Sequence, residues 1–300
     1  MNQNVKLRNH LLGACFCASM LLASGCTTDS EPSTSETQGA LSHPYLLLTE
    51  DRRTTIESNL ENPQMAAIFE RMQQVAAGEL RTPLPGTWDA KLHGDNAEVA
   101  EANALIAWLE SDQEAANRAM AAMELLETNW EDHTAWGINI KMPETLMHYT
   151  AAWDLLSGTD FFPEEKATAL KTKLLTITEK FYDYYILDPF MRDLSLGVSQ
   201  NNHPIRTAAC IGLVALAFLG EAHTQDWLDW AVSELDYLFS VEGQYVQPDG
   251  GISEGPFYFS FGFAPTVAFF IALDNAAQPE KVYTRNCINR SDADPWLAHN

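Results

Sequence analysis

The feature that most constrains the fold of this chain is a succession of segments in which apolar residues recur every three or four positions. That spacing places the apolar side chains on one face of a helix, and such a face has to be buried against a neighbouring element. Alternation with a period of two, which marks half-buried strands, is almost absent. The helices predicted on this basis are residues 49–59, 63–78, 96–110, 112–127, 143–157, 163–184, 204–220 and 225–240.

Most of the predicted helices form pairs joined by short turns. Asn62 followed by Pro63 is a typical helix start, because asparagine caps free N–H groups and proline fits the first helical position. Thr49 ahead of acidic residues indicates another capped start. Helix pairs that follow one another without a fixed sequence period favour a curved array over a short-repeat solenoid. We therefore predict an all-α fold, an incomplete (α/α) toroid of stacked helical hairpins with few or no strands.

Residues 1–25 have the pattern of a bacterial export signal. Lys6 and Arg8 precede an apolar run, residues 11–23, that is too short to span a bilayer as a finished helix. The run leads into LASGC, which is similar to a lipobox, so we predict cleavage before Cys26 and lipid attachment to its sulfur. Residues 26–41 would form a flexible polar tether and residues 42–300 the folded domain. The expected location is the periplasm or outer membrane of a Gram-negative bacterium.

The net charge and the cysteine content limit which partners and cofactors the chain can have. The formal net charge of −23 argues against nucleic acid, whose phosphates the chain would repel. A polyanionic substrate is also repelled at long range, but salt screens that repulsion over about 8–10 Å. Cys210 lies in an apolar helix and is interpreted as a core residue, whereas Cys287 lies in a loop. No cysteine spacing indicates a metal site or a disulfide framework, so neither a metal nor another cofactor is predicted.

Long polar and aromatic connections separate the predicted helix pairs. Loops of more than about 12 residues in a compact domain are usually functional when they are rich in aromatic residues. Successive hairpins place alternate connections at the same end of the array, where they would line one cleft. Aromatic faces with a few amides and cations suit sugar rings, and His133 and Trp136 are predicted to line this cleft. The connections are residues 84–96, 129–143, 188–204 and 243–263.

Two kinds of sugar chemistry are compatible with these connections. Glycoside hydrolysis needs two facing carboxylates, for which the connections offer Asp249, Glu254, Glu131 and Asp132. Cleavage of a uronate polymer by β-elimination needs donors that neutralise the sugar carboxylate, and an imidazole or phenol that moves the proton. The candidates for that chemistry are Asn201, Asn202, His203, Arg206 and Tyr258.

Four segments resemble heparinase II/III-like proteins and the related alginate lyases. SHPYLLLTEDRRTTIESNLENPQ (42–64) is similar to the opening of that group, and AWDLL (152–156) to one of its helical stretches. QNNHP (200–204) resembles its Asn-His motif at a helix start, and DGGISEGPFYFSFGF (249–263) its Asp-Gly to Glu-Gly-x-x-Tyr segment. The order and rough spacing of these segments agree over most of residues 42–273.

The resemblance implies a metal-independent polysaccharide lyase built on an (α/α) toroid. By analogy Asn202 binds and neutralises the uronate carboxylate, His203 assists or acts as the base, and Tyr258 acts as the acid and also serves as base. Asn201, Arg206 and Glu254 complete the expected substrate site. Members of the group continue into a β-sandwich region with a second histidine, which this chain lacks, so residues 42–300 are expected to be a truncated toroid.

Other functions and simpler roles remain open on the sequence. The chain could be a toroidal glycoside hydrolase, a glycan-binding outer-membrane lipoprotein or an inactive scaffold. Asn202 could simply cap its helix, and Tyr258 could pack in the core. Glu254 could serve the dipole of the following helix, and Arg206 could form a solvated ion pair. His148, within an amphipathic helix, is interpreted as a packing residue with its polar atoms satisfied.

Overall fold

The computed structural model describes residues 41–86, 89–128, 136–183, 202–240 and 243–276, with side chains from 141 onward in the third of these ranges. Within them lie a 3₁₀ turn at Glu50–Arg52 and nine α-helices. The helices are α1 (Arg53–Asn59), α2 (Pro63–Ala76), α3 (Ala90–Glu110), α4 (Gln113–Glu124), α5 (Trp136–Ser157), α6 (Glu164–Tyr182), α7 (Asn202–Ala217), α8 (Thr224–Phe239) and α9 (Gly255–Asn275).

The predicted all-α class is confirmed over the described residues. Their only β-type pairing is an isolated bridge between Val246 and Ile252. Helices α3, α5, α7 and α9 pack side by side in that order and form an inner row, while α2, α4, α6 and α8 pack against them as an outer row. The predicted pairs α3 with α4, α5 with α6 and α7 with α8 therefore pack as hairpins, and closure of the array into a toroid stays a prediction.

The two rows differ in how apolar their surfaces are. Every residue of α7 from Pro204 to Ala217 is buried. Helix α4 instead buries one stripe that includes Ala116, Ala119 and Met123. A helix that is apolar all round belongs in an interior, and a helix with one apolar stripe belongs at the surface. The distribution of apolar residues thus assigns α7 to the inner row and α4 to the outer one.

Three inner helices begin within segments that we predicted as connections. Helix α3 starts at Ala90 because the Asp89 side chain accepts hydrogen bonds from the backbone N–H groups of Lys91 and Leu92, at 3.0 and 2.9 Å. Helix α5 starts seven residues before Pro143, which we had interpreted as its first position. Helix α9 occupies 255–275; we had expected a helix after Glu254 but had not predicted its bounds. The predicted connections at 84–96, 129–143 and 243–263 are therefore too long.

The two predicted caps have different outcomes. Asn62 accepts a hydrogen bond from the backbone N–H of Gln64 at 2.9 Å, and Pro63 is the first residue of α2, so this cap is confirmed. Thr49 makes no side-chain cap hydrogen bond, and the residues after it form the 3₁₀ turn. The Thr49 cap is therefore wrong.

A strap formed by residues 43–48 lies along the inner row and is held by one buried carboxylate. Asp154 of α5 is 2% exposed. Its Oδ1 lies 2.6 Å from His43 Nδ1, and the backbone N–H groups of Tyr45 and Leu46 donate to the same carboxylate at 3.2 and 3.0 Å. Asp154 thus satisfies two backbone donors that the strap brings into the interior.

The strap also binds the two neighbouring inner helices. The Tyr45 hydroxyl donates to the Leu216 carbonyl at 2.8 Å, one of the carbonyls that a helix end leaves without an internal partner. The Asn275 side-chain amide donates to the Leu46 carbonyl at 2.9 Å. The strap therefore joins the C-terminal ends of α5, α7 and α9. It does not cover the N-terminal ends of these helices.

Replacing Gly212 with alanine is expected to lower the free energy of unfolding by about 1–3 kcal/mol, because α7 and α9 leave no room there. A Cβ at this position would lie 2.4 Å from a ring carbon of Phe269, which is fully buried. Gly94 in α3 is the matched control, since its Cβ would come no closer than 3.9 Å to another group, at Thr145. Gly94→Ala should be neutral or stabilising by about 0.5–1 kcal/mol in urea unfolding, and equal losses in both variants would contradict this account.

Candidate functional site

The candidate site lies where the first turns of α7 and α9 meet. The Asn202 side-chain nitrogen donates to both carboxylate oxygens of Glu254, at 3.0 and 3.1 Å. Asn202 is the first residue of α7 and is only 2% exposed, and Glu254 immediately precedes α9. Two of the segments on which the resemblance rests are therefore in direct contact, although 52 positions separate the two residues.

The Glu254 carboxylate faces α7 and does not cap its own helix. It stands at the capping position of α9 but forms no side-chain cap hydrogen bond, and Pro256 in the first turn has no N–H to offer. Burial raises the pKa of Glu254, against the opposing effects of the Asn202 hydrogen bonds and the Arg206 charge. Glu254 thus lies at the N-terminus of α9, as its predicted role at the helix dipole requires. It also contacts Asn202, which the sequence did not indicate.

Tyr258 lies on an exposed aromatic surface at the start of α9. Its side chain is 49% exposed, so the alternative in which it packs in the core is wrong. Its ring centroid is 5.2 Å from that of the exposed Phe257 and 6.1 Å from that of Phe261. A phenol in this position is available to a ligand in solution.

His203 follows Asn202 in the first turn of α7 and is half-buried. Burial lowers its pKa, and the positive charge of Arg206 lowers it further. The imidazole is therefore neutral at pH 7, the state in which it accepts a proton.

Arg206 forms a buried ion pair, so our expectation of a solvated pair is wrong. The residue is 5% exposed, and its Nη2 lies 3.4 Å from Glu144 Oε2 on α5. Burial would raise the pKa of Glu144, but Arg206 and Lys141 together lower it to about 2. The Arg206 guanidinium carbon also lies 5.9 Å from the ring centroid of Phe261. Helix packing thus surrounds this arginine with a carboxylate and an aromatic ring.

A further polar contact joins α5 to α3. His148 of α5 bonds to Glu101 of α3, and both side chains are buried. The interpretation of His148 as a satisfied packing residue is confirmed. Our sequence analysis missed Glu101 and Glu144, although Glu144 and His148 stand four residues apart, a spacing that puts them on one face of a helix. Polar pairs therefore link all four inner helices in the order α3, α5, α7, α9.

Stability is expected to fall as the pH rises from about 6.5 to about 9, the interval in which His148 loses its proton. Burial alone lowers the pKa of His148, but Glu101, Glu98 and Glu144 raise it from 6.5 to about 9. A raised folded-state pKa stabilises the fold fully below the unfolded value, and this stabilisation, up to about 3 kcal/mol, is lost as the pH passes the folded value. Urea unfolding at several pH values checks this. His148→Gln should remove most of the decline, and an unchanged decline would assign it to other groups.

Tyr245 is a buried phenol beside the site that our sequence analysis did not single out. The residue is 1% exposed, and its hydroxyl has no hydrogen-bond partner among the described residues. A Cβ on Gly262 would lie 3.2 Å from this hydroxyl and 3.5 Å from Asn202 Cβ, which places Tyr245 next to the start of α7. Burial raises its pKa, with a further contribution from Glu254.

Tyr45→Phe is expected to lower the stability of the fold, whereas Tyr245→Phe is not. Tyr245→Phe removes a buried hydroxyl without a described partner and should leave the free energy of unfolding unchanged or raise it by about 1 kcal/mol. Tyr45→Phe removes a hydroxyl that donates to a buried carbonyl and should cost about 1–2 kcal/mol. Denaturant unfolding of the two variants provides the measurement. A loss at Tyr245 as large as that at Tyr45 would indicate a partner for the Tyr245 hydroxyl.

Several predicted site residues lie outside what the structure describes. Asn201, His133 and the lipidation candidate Cys26 are outside the described ranges, and Trp136 is the first residue of α5 without a described side chain. Asp249 accepts a hydrogen bond from the Gly251 backbone N–H at 2.9 Å and forms part of a turn. Within the described ranges no three histidine, cysteine or acidic side chains come together as metal ligands.

One described helix, α9, has the length and apolar composition of a membrane span. It packs against α7 in the inner row, and core helices of soluble proteins share this property. The observation is therefore weak evidence for a membrane span.

No protein-family model matches the chain, and the comparison with curated proteins found no match.

Proposed function

We propose that the protein is a metal-independent polysaccharide lyase that cleaves a uronate-containing polymer by β-elimination, and that it is exported and anchored to a membrane through a lipid on Cys26. The four segments that resemble heparinase II/III-like and alginate lyase proteins support the activity. In the structure they make contact in two pairs. The strap contacts Asp154 of AWDLL, and the QNNHP segment contacts the DGGISEGPFY segment.

The contact between Asn202 and Glu254 is the observation that carries the proposal. It joins the first turn of α7, which holds Asn202 and His203, to the start of α9, which holds Tyr258 one turn further along. Both are helix N-terminal turns, where free N–H groups and the helix dipole favour a bound anion. An amide, a neutral imidazole and an exposed phenol at such a position are the groups that elimination beside a carboxylate requires.

These groups suggest the following reaction. A donor to the sugar carboxylate stabilises the negative charge that develops when the C5 proton leaves. His203 or Tyr258 takes that proton, the bond between C4 and the leaving oxygen breaks, and a C4–C5 double bond forms. Tyr258 delivers a proton to the leaving oxygen. This elimination accounts for every atom and proton without a metal, an oxidant or water.

The predicted clamp on the sugar carboxylate is occupied by protein groups in this structure. Asn202 donates to Glu254, and Arg206 pairs with Glu144. A uronate can therefore use Asn202 only through its remaining donor capacity or in exchange for Glu254. His203 and Tyr258 are the members of the predicted catalytic set with substantial exposure, so we assign the proton transfers to them.

Glycan binding without turnover is the second candidate function. Phe257, Tyr258 and Phe263 are exposed on one short stretch of α9, and aromatic faces bind sugar rings. A hydrolase is supported less well, because Glu254 is hydrogen-bonded to Asn202 and Asp249 holds a turn.

Incubation with a panel of uronate polymers tests the proposal. Alginate, glucuronan, polygalacturonate and glycosaminoglycans are each followed by the ultraviolet absorbance of the new C4–C5 double bond. We expect absorbance to rise with at least one of them and with no neutral polymer. New reducing ends without absorbance would establish hydrolysis, and retention on a polymer without any cleavage would establish the binding function.

A further inference from the structure

We propose that Glu254 is an internal competitor for the substrate carboxylate: its own carboxylate accepts from the Asn202 amide in the ligand-free protein and is displaced by the carboxylate of a bound sugar. This inference rests on the proposed function, because it concerns the same amide. It assigns a role to the observed contact between Asn202 and Glu254, at 3.0 and 3.1 Å. A carboxylate of the protein would then stand in for the carboxylate of the substrate.

The burial of the two partners differs in a way that favours exchange. Asn202 is 2% exposed, so its amide needs a partner whether or not a ligand is bound. Glu254 is partly exposed, and it makes no cap hydrogen bond to α9. A displaced Glu254 carboxylate can therefore be solvated, whereas Asn202 without an acceptor would be a buried unsatisfied donor. Because the Asn202 backbone N–H also bonds to Glu254, the sugar carboxylate would have to accept from this N–H as well as from the amide.

The charges around Asn202 favour exchange over the binding of a second anion. Arg206 is paired with Glu144 and also acts on Glu254, so its single positive charge is already shared between two carboxylates. His203 is neutral at pH 7. A sugar carboxylate bound beside an unmoved Glu254 would thus face an uncompensated like charge in a partly buried place.

Competition that affects only charged sugars follows from this arrangement. A uronate brings the carboxylate that Asn202 accepts in place of Glu254. A neutral sugar has no such group, so Glu254 stays on Asn202 and the sugar gains nothing from the amide. Glu254 would thus lower the affinity for uronates by competition while leaving the affinity for neutral sugars unchanged.

Glu254→Gln tests the proposal, because glutamine keeps the size of the side chain and an oxygen acceptor for Asn202 but removes the charge. Both the reference and the variant carry Tyr258→Phe, so that no ligand is cleaved during calorimetry. The probes are tetramers of mannuronate, guluronate, glucuronate and galacturonate, with neutral mannotetraose as control. Asp249→Asn is the matched variant, since it removes a nearby exposed negative charge that does not contact Asn202.

We expect Glu254→Gln to bind the preferred uronate tetramer about tenfold more tightly, equivalent to about 1.4 kcal/mol. Mannotetraose binding and the Asp249→Asn variant should be unchanged. Unchanged or weaker uronate binding in Glu254→Gln would overturn the inference and leave the proposed function standing, with Glu254 positioning Asn202. Failure of every uronate tetramer to bind either protein would overturn both.

A second measurement does not depend on the Glu254 variant folding. In the ¹⁵N-labelled Tyr258→Phe protein, the side-chain amide resonances of Asn202 should shift when the binding uronate tetramer is added, and stay in place with mannotetraose. Asn202 resonances that do not move at a saturating concentration of bound uronate would show that Glu254 has not been displaced, and the inference would then be wrong.

Discussion

Tyr258→Phe is expected to lower eliminative cleavage of the uronate polymer by at least about 10²–10⁴-fold, the usual contribution of a positioned acid or base. The substitution removes one hydroxyl from a side chain that is 49% exposed. Binding of the polymer and the free energy of unfolding should stay close to their wild-type values. The ultraviolet assay, calorimetry and urea unfolding measure the three quantities separately.

Tyr237→Phe is the matched control for this experiment. Tyr237 is 48% exposed but belongs to α8 in the outer row. Its loss of a hydroxyl should change neither cleavage nor binding. A Tyr258→Phe protein that retains cleavage would exclude the proposed role of this phenol and favour an alternative acid and base. Loss of binding together with cleavage would mean that Tyr258 contributes to the sugar surface and not to the chemistry.

Asp154→Ala is expected to lower the free energy of unfolding by about 3–5 kcal/mol, the cost of removing one partner from a buried charged contact. The carboxylate is 2% exposed and accepts from the backbone N–H groups of Tyr45 and Leu46 as well as contacting His43. Alanine would leave those backbone donors buried without a partner. A total stability of 5–15 kcal/mol is typical of a domain, so much of the stability would be lost.

The control for Asp154 is Asp160→Ala, which removes an exposed carboxylate shortly after the same helix. That change should stay within about 0.5 kcal/mol of wild type in urea unfolding. Limited proteolysis should cut the strap in Asp154→Ala and leave it intact in Asp160→Ala. Similar stability in the two variants would mean that the strap is held by its other contacts, through Tyr45 and Asn275.

Local patterns were sufficient to predict most of the helices. The apolar spacing identified eight of them, and Asn62 with Pro63 marked the start of α2 correctly. Prediction failed where local signals conflict with packing. Pro143 was interpreted as a helix start, yet α5 continues through it for seven residues toward its N-terminus. The bounds of α9 were not predicted because Gly255 and Pro256 precede an aromatic run that is unlike an amphipathic stripe.

The candidate residues were predictable as residue types, but their contacts were not. A short sequence such as QNNHP indicates an amide and an imidazole at a helix start, whatever lies across from them. Whether Asn202 faces solvent, a sugar or Glu254 depends on how α7 and α9 pack, and the two residues are 52 positions apart. The same holds for Arg206, which charge counting suggested was solvated and which packing buries against Glu144.

Local sequence patterns predict that the chain is all-α, that its helices pair, and which stretches carry amides, imidazoles and phenols, because helical periodicity and capping act over only a few residues. Which polar side chains contact each other depends on the packing of the helices. Asp154 contacts the strap at one end of the inner row, and Glu254 contacts Asn202 at the other end. Pairing of buried polar groups depends on side-chain distances between helices far apart in the chain. Those distances arise only when the rows pack and water is excluded from between them.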